Sequence, residues 1–248
     1  MEGSTFDALT VDQYNGRLGG TPDWRTNLYS YSCAEMMSLK DQIKQADALG
    51  RNFTTEAKTP EIPMPFQGDY TQEDFISQVA ETFIELEIDP SRVWLQSFLI
   101  DDVYYWLENY PEFGKQAVYL DQRADESAEA YEAAVASLQD IADSGINIVA
   151  PSTWQLVTVD NATQTIVPSS YANAANAAGL EIIAWTFERS GPLQNGGGYY
   201  YSSVSELINN DGDQFVVMDV IARQVGVSKM FGDWPATLTY YANCFGIK

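Results

Sequence analysis

The sequence predicts an α/β fold with a parallel sheet, and three observations support this. Short apolar runs alternate with amphipathic stretches from about residue 52 to residue 235, which is typical of repeated strand–helix units. Several of these runs are apolar throughout, as in strands that are buried on both faces. The 248 residues suit one large domain or two small ones, and 45% are hydrophobic, which is enough for a packed core. An open sheet and a (β/α)₈ barrel are both compatible with this pattern.

The first elements follow an irregular start. Residues 1–32 are rich in Gly, Asn, Asp and Tyr, which predicts loop structure. A helix is predicted over 34–49, and a strand over 52–58 follows the stop at Gly50. Prolines then predict an extended connection, after which Thr71 is expected to cap a helix that reaches about residue 86.

The later units are regular, and residues 154–167 predict a small hairpin around Asp160 and Asn161. The predicted strands are 93–98, 117–121, 147–151, 181–188 and 230–232. The predicted helices are 100–110, 126–143, 169–178, 203–209, 213–225 and a last one after 235. The count is six strands, each followed by a helix, which is two units fewer than a closed (β/α)₈ barrel has.

Composition excludes several functions. There are 35 Asp and Glu against 13 Lys and Arg, and the resulting charge of −22 disfavours nucleic acid and anionic membranes as partners. The chain has no histidine, which excludes a Ser-His-Asp triad and every imidazole acid/base scheme. Apolar runs are too short for a membrane span, and the N-terminus does not read as a secretory signal. The two cysteines, Cys33 and Cys244, are either separate small core residues or one clasp between the chain ends.

Polar and aromatic residues cluster where the predicted strands end, which is where barrel active sites are built. Glu56 and Lys58 project from one face of the first strand, because side chains alternate along a strand. The other candidates are Gln96, Ser97, Asp121, residues 151–153, Trp185, Glu188 and Asp233. Two chemistries remain open from the residues alone. One is a glycoside hydrolase with Glu56 and Glu188 as paired carboxylates; the other is metal-assisted attack on an anionic substrate, with Glu56 on the cation and Lys58 on the anion.

A series of motifs resembles the glycerophosphodiester phosphodiesterases, and in particular their secreted fungal and bacterial branch. The series is Glu56-Ala57-Lys58, Gln96-Ser97-Phe98, Trp185-Thr186-Phe187-Glu188-Arg189 and Gly232-Asp233-Trp234-Pro235, in this order. The resemblance implies an incomplete TIM-type barrel of about six of the eight βα units, in a single domain over residues 1–248. It also implies metal-assisted hydrolysis of glycerophosphodiesters to glycerol 3-phosphate and an alcohol, in an extracellular or periplasmic setting.

The same resemblance implies roles for single residues. Glu56 matches a carboxylate that binds Ca²⁺ or Mg²⁺, and Lys58 matches a phosphate-contacting lysine. Gln96, Phe98 and Trp185 match positions that line the substrate pocket. The family's His-Arg-Gly segment, its Glu-x-Asp metal pair and its acid/base histidines have no counterpart here, so no catalytic residue is assigned.

These departures shape the expectations for the chain. It is expected to lack its N-terminal barrel strands, to bind a divalent cation weakly or not at all, and to be impaired as a hydrolase. The alternative is a non-catalytic protein that binds a phosphorylated polyol through Lys58, Gln96, Trp185 and Arg189. Open barrel edges near 52–58 and 228–232 predict low stability, dimerisation through those edges, or closure by the N-terminal residues.

Overall fold

The computed structural model describes residues 36–187 and 193–247. The compact unit described below begins at Ser38. Its strands are β1 Phe53–Glu56, β2 Val93–Ser97, β3 Val118–Asp121, β4 Ile148–Pro151, β5 Val157–Asp160, β6 Thr165–Pro168, β7 Glu181–Ala184 and β8 Lys229–Met230. Among the described residues, six strands form one sheet in the order β1-β2-β3-β4-β7-β8, and every pairing in it is parallel. Strands β5 and β6 form a separate antiparallel hairpin.

Helices connect these strands. They are α1 Leu39–Ala48, α2 Gln72–Glu85, α3 Ile100–Asn109, α4 Pro111–Gly114, α5 Ala128–Ala136, α6 Leu138–Asp143, α7 Thr153–Leu156, α8 Ser170–Ala177, α9 Asp213–Asp219 and α10 Pro235–Phe245. A 3₁₀ segment covers Tyr199–Leu207, and α9 continues as a π-helical turn over Val220–Val225. Hydroxyl side chains cap α1, α2, α5 and α8 by accepting a backbone N–H of the first turn, which is the usual way to satisfy a helix start.

The two faces of the sheet bury different cores. Strand residues such as Leu95, Tyr119 and Val149 join the large apolar layer beneath the helices. The intervening residues face the other way, and they form a second cluster of Val118, Leu120, Ile148, Ala150 and Ile183. Trp94, Phe98, Trp185 and Phe231 pack against this second cluster. The concave side of the sheet therefore has an aromatic-lined interior of its own.

The sheet is curled into part of a barrel. Strands β1 and β8 are its opposite edges, and in a flat sheet five strand spacings would separate them by about 24 Å. Residues that end β1 and residues that follow β8 nevertheless line a single cavity of about 200 Å³. Lys229 of β8 also reaches across to β2, where its ammonium lies 4.6 Å from the centre of the Trp94 ring. The architecture is an incomplete TIM-type barrel with six parallel strands in the described residues, as predicted.

Some predicted bounds are wrong at the strand ends. The strand predicted over 52–58 ends at Glu56, and the one predicted over 181–188 ends at Ala184. Beyond Ala184 only an isolated bridge joins Trp185 to Ser152, because the chain turns out of the sheet there to form the mouth of the barrel. Residues 57–58 and 186–187 had strand-like patterns, but they lie outside the sheet.

Three of the predicted helices also differ from the structure in their bounds or type. The helix predicted from residue 34 begins at Leu39, because Ser38 accepts the backbone N–H of Asp41 and caps it. The single helix predicted over 126–143 is two helices that meet at Ser137, whose hydroxyl bonds to Ala134 O and accepts from Arg123 Nη1. The stretch predicted as a helix over 203–209 lies within a 3₁₀ segment.

The described helices are all too short or too polar to span a membrane. Cys244 lies exposed on α10, so the expectation of a buried core cysteine is wrong at that position. Cys33 and the predicted loop over 1–32 lie outside the described residues.

Candidate functional site

A cavity of about 200 Å³ opens at the carboxyl ends of the strands, and we refer to it as the mouth cavity. Its lining residues are Glu56, Lys58, Gln96, Phe98, Leu120, Trp185, Thr186, Phe231, Gly232 and Asp233. The structure thus brings together the five residues to which the family resemblance assigned a metal or substrate role: Glu56, Lys58, Gln96, Phe98 and Trp185. Carboxyl ends of parallel strands meet at one edge of a sheet, which is why residues 129 positions apart in sequence can share a small cavity.

Glu56 and Lys58 form an ion pair at the rim. Lys58 Nζ donates to Glu56 Oε2 over 2.7 Å, and the lysine side chain is 78% exposed while that of Glu56 is 23% exposed. The other carboxylate oxygen, Glu56 Oε1, is buried and has no hydrogen-bond partner among the described residues. The pair therefore combines a buried acceptor without a partner and an exposed ammonium at the rim of the cavity.

Gln96 supplies the complementary group. Its side chain is 3% exposed, and its amide nitrogen Nε2 is buried without a partner in the described part of the chain. Gln96 lies opposite Glu56 in the β1–β2 register, so the two residues are neighbours in the sheet. A buried polar atom left without a hydrogen bond costs about 1–3 kcal/mol, so the cavity favours a ligand that supplies the missing bonds.

Aromatic rings form one wall of the cavity. Phe98 and Trp185 meet edge to face with ring centres 5.7 Å apart, and Tyr200 packs against the other side of Trp185 at 5.8 Å. Trp185 Nε1 donates to Ala150 O over 2.7 Å, which fixes the indole against β4. Trp185 is thus held rigidly, and it is part of both the concave core and the cavity wall.

The sequence assigned no role to four further lining residues, which are Leu120, Thr186, Phe231 and Gly232. Thr186 Oγ1 donates to Phe231 O over 3.1 Å, and Phe231 N donates to Ala184 O over 2.8 Å, so β7 and the segment after β8 are joined at the mouth. Gly232 follows directly. Leu120 lines the cavity from β3 and shares its face with Val118. The motif containing Gly232 indicated this region, whereas nothing in the sequence marked Leu120.

Other strand-end candidates point away from the cavity. Ser97 donates to Asp102 Oδ2 over 2.7 Å beneath α3. Burial raises the pKa of Asp102, although hydrogen bonds from Ser97 and Gln72 oppose this. Ser97 also accepts the backbone N–H of Leu99, and so it fixes the turn that carries Phe98.

Asp121 is fully buried on the outer face of β3. It accepts two hydrogen bonds from the Arg123 guanidinium and one of 2.7 Å from the Tyr171 hydroxyl. Burial raises the pKa of Tyr171 well above its usual value, and the Asp121 charge raises it further. This network ties β3 to α8 and is structural.

Of the remaining strand-end candidates, some are buried in the structure and one lines the mouth cavity. Thr153 is buried and donates to Thr186 O, and Ser152 is buried beside it. Asp233 lines the mouth cavity. Glu188 and Arg189 lie outside the described residues, and so does any pairing of Glu56 with Glu188.

The divalent cation that the resemblance implies requires several oxygen ligands around it. Ca²⁺ takes six to eight oxygen ligands and Mg²⁺ takes six in near-octahedral geometry. Within residues 36–187 and 193–247, no three Asp, Glu, His or Cys side chains gather where they could hold an ion. Glu56 Oε2 is already engaged by the Lys58 ammonium. The described residues do not fit a divalent cation site.

Comparison with known proteins places the chain in a family. A protein of Arthroderma benhamiae described as "Extracellular protein" is 42% identical over 250 aligned residues, which cover all of both chains. The chain belongs to the family of that extracellular protein. No family model matches the chain.

Solved structures with a similar fold include a glycerophosphodiester phosphodiesterase from Parabacteroides distasonis. The TM-score is 0.53 at 13% identity, and the match covers 84% of this chain and 64% of that one. A second match, a chain from Silicibacter pomeroyi assigned to the glycerophosphoryl diester phosphodiesterases, has a TM-score of 0.44 at 15% identity and covers 71% of this chain and 46% of that one. That second likeness is too weak to support an argument. The first shows that the barrel fold is shared, and the chain spans less than two thirds of that structure's length.

Proposed function

We propose that this chain binds a small phosphorylated polyol, of the glycerol phosphate class, in the mouth cavity. The observation that carries the proposal is the pair of buried groups without partners, Glu56 Oε1 and Gln96 Nε2, on residues lining one cavity with Lys58. One is an acceptor and the other a donor, which is what a row of hydroxyl groups requires. A cavity of about 200 Å³ suits a ligand of this small size.

Each lining group has a defined task in this proposal. The Glu56 carboxylate accepts a hydrogen bond from a polyol hydroxyl, and the Gln96 amide donates to a hydroxyl or phosphoryl oxygen. Lys58 turns from Glu56 to the phosphate, and its 78% exposure allows this without loss of packing. Phe98 and Trp185 cover the carbon skeleton.

Among the described residues that line the mouth cavity, only Lys58 offers a positive charge to a bound phosphate. The chain carries a net charge of −22, and Lys58 is the only cation among the described residues that line the mouth cavity. An anion therefore depends on this one ammonium, and its removal should weaken binding more than removal of any other lysine.

A second candidate, hydrolysis of glycerophosphodiesters, has support from the shared fold alone, and fold does not determine activity. The chain has no histidine, and positioned acid/base groups typically contribute about 10²–10⁴-fold to the rate. We therefore infer that hydrolysis is impaired or absent. We also propose that the protein is secreted, on the strength of its relative's description as an extracellular protein.

Calorimetry with glycerol 3-phosphate tests the binding proposal. We expect Lys58→Ala to weaken binding about tenfold, because a hydrogen bond to a charged group is worth about 1.5 kcal/mol or more. Lys115→Ala is the matched control, since Lys115 is an exposed lysine paired with Glu112 that does not line the cavity. Absence of heat at millimolar glycerol 3-phosphate would contradict the proposal.

A turnover assay separates binding from catalysis. Purified protein supplied with Ca²⁺ or Mg²⁺ is expected to leave glycerophosphocholine intact. Turnover that disappears in Glu56→Ala would show instead that the mouth cavity is catalytic, and it would overturn the inference of impaired hydrolysis.

A further inference from the structure

A second and larger cavity lies beside the β5–β6 hairpin, and we refer to it as the hairpin groove. Its volume is about 680 Å³, within the range of about 300–1,000 Å³ that is usual for small-molecule sites. The groove lies between the start of α5, the turn α7, the hairpin and the 3₁₀ segment Tyr199–Leu207. It shares no lining residue with the mouth cavity.

Three aromatic residues give the groove its apolar surface. Tyr131 and Trp154 lie with ring centres 5.8 Å apart and their planes tilted by only 34°, so they form a nearly continuous platform. The Tyr131 hydroxyl bonds to Ser170 Oγ over 3.0 Å and accepts the backbone N–H of Tyr171, which fixes its ring. Tyr199 adds a third ring that is 41% exposed. A fixed aromatic platform of this kind packs against flat apolar ligand faces at little entropic cost.

Two buried polar atoms in the groove lack hydrogen bonds among the described residues, Trp154 Nε1 and Ser203 Oγ. The Trp154 N–H faces the Tyr199 hydroxyl closely enough to lower the pKa of that group, but without the geometry of a hydrogen bond. Burial outweighs this effect and raises the pKa of Tyr199 to about 12, so its phenol remains protonated. The Trp154 N–H is a donor and the Ser203 hydroxyl can donate or accept, so a ligand oxygen could pair with either group.

The charged side chains that line the hairpin groove disfavour an anionic ligand. Asp125 and Glu132 are the ionisable carboxylates of the lining, and no described lining residue is a lysine or arginine. The Tyr199 hydroxyl donates to Asp125 over 2.8–2.9 Å, and the remaining carboxylate lone pairs are acceptors for ligand hydroxyls. The groove therefore combines acceptors, donors and apolar rings without any cation.

We propose that the hairpin groove binds a neutral saccharide. A sugar supplies hydroxyl hydrogens to Asp125 and Glu132, hydroxyl oxygens to Trp154 and Ser203, and C–H faces to the aromatic platform. An ammonium ligand would satisfy the carboxylates and rings, but it has no acceptor and would leave the Trp154 N–H without a partner.

The test is titration of the full chain with four neutral trisaccharides: cellotriose, maltotriose, laminaritriose and triacetylchitotriose. We expect calorimetry to detect binding of at least one of them. Glu132→Gln and Trp154→Phe should each weaken that binding about tenfold, as expected when one hydrogen bond to the sugar is lost. Glu129→Gln is the matched control and should bind as the wild type does, because Glu129 is exposed on the same helix and does not line the groove.

Three outcomes would overturn the proposal. One is that none of the four trisaccharides binds; another is that both variants bind as tightly as the wild type. The third is that tetramethylammonium chloride binds while the saccharides do not, which would assign the groove to cations. Glu132 is exposed, so its variant remains informative even where Trp154→Phe fails to fold. Binding of glycerol 3-phosphate is measured separately, and either site can fail alone.

Discussion

Gln96 and Ser97 are consecutive residues that serve opposite faces of β2. Gln96 faces the mouth cavity with a buried amide, while Ser97 faces α3 and holds the buried Asp102. The Asp102 carboxylate also accepts from Gln72 Nε2, so one acidic group joins α2, β2 and α3 directly behind the site. The position of Phe98 in the cavity wall depends on this support, because Ser97 also binds the backbone N–H of Leu99.

The raised pKa of Asp102 predicts a pH-dependent stability difference. The unfolded carboxyl titrates near 3.9, and burial raises the pKa in the folded protein. As pH rises between these two values, the unfolded chain loses its proton first, so the free energy of unfolding falls. Asp102→Asn cannot titrate and still presents an oxygen to Ser97 and Gln72. We expect it to match the wild type below about pH 4 and to become the more stable protein above the raised pKa.

Urea unfolding of both proteins from pH 3 to pH 8 measures this difference. Asp101→Asn is the control, because Asp101 is its exposed neighbour on the same helix. A stability difference between Asp102→Asn and the wild type that does not change with pH would show that the pKa of Asp102 is the same in the folded and the unfolded protein.

The alternation of side chains along a strand explains which site residues could be predicted from the sequence. It placed Glu56 and Lys58 on one face, and both line the mouth cavity. It could not assign Asp121, because β3 is buried on both faces and its run Val118-Tyr119-Leu120 has no polar side to mark the orientation. The buried groups without partners, Glu56 Oε1 and Gln96 Nε2, were likewise invisible in sequence, since only the register of β1 on β2 brings them together.

Capping determines where the long helices begin. Thr71 Oγ1 accepts the Asp74 N–H over 3.0 Å, and Asp74 Oδ2 accepts the Thr71 N–H over 2.8 Å, which is a reciprocal capping box. We expect Thr71→Ala to lower the free energy of unfolding by about 1 kcal/mol. Thr82→Ala is the control within the same helix, where alanine is favourable and a change of less than about 0.5 kcal/mol is expected. Equal losses in the two variants, measured by urea unfolding, would argue against a capping contribution.

Helices and strands could be predicted from the sequence where local signals determine them. The cap of α2 at Thr71, the hairpin around Asp160 and the six strands with parallel pairing all match the described residues. Local patterns did not reveal the break at Ser137, which depends on a hydrogen bond from Arg123, a residue 14 positions earlier. Nor did they show where each strand leaves the sheet, because that is determined by the barrel mouth.

The half-barrel has open edges among the described residues, and the predicted dimer uses them. Ala57 N donates to Gln96 O, so by alternation the N–H of Thr54 points away from β2. We expect the wild type to dimerise and Thr54→Pro to shift it to the monomer in sedimentation experiments. Proline removes the outward-pointing N–H at the edge, and it leaves the hydrogen bonds between β1 and β2 in place. Thr54→Ala retains the donor and should dimerise. A monomeric wild type at every concentration would refute edge pairing.

At the scale of the molecule, the sequence indicated the barrel and the mouth cavity but not the hairpin groove. The groove's aromatic residues come from three separate segments: Tyr131 from α5, Trp154 from α7 and Tyr199 from the 3₁₀ segment. None of them lies in a recognisable motif, and only folding places their rings around one space.

Tyr199 and Tyr200 are adjacent in the chain. Tyr199 lines the hairpin groove, and Tyr200 contacts a residue that lines the mouth cavity. The Tyr199 hydroxyl bonds to Asp125 in the hairpin groove, whereas the Tyr200 ring packs on Trp185 in the wall of the mouth cavity. The two rings pack edge to face, with their centres 4.9 Å apart. Any effect that a ligand in one cavity has on the affinity of the other must be reciprocal, because the coupling between two binding equilibria is symmetric.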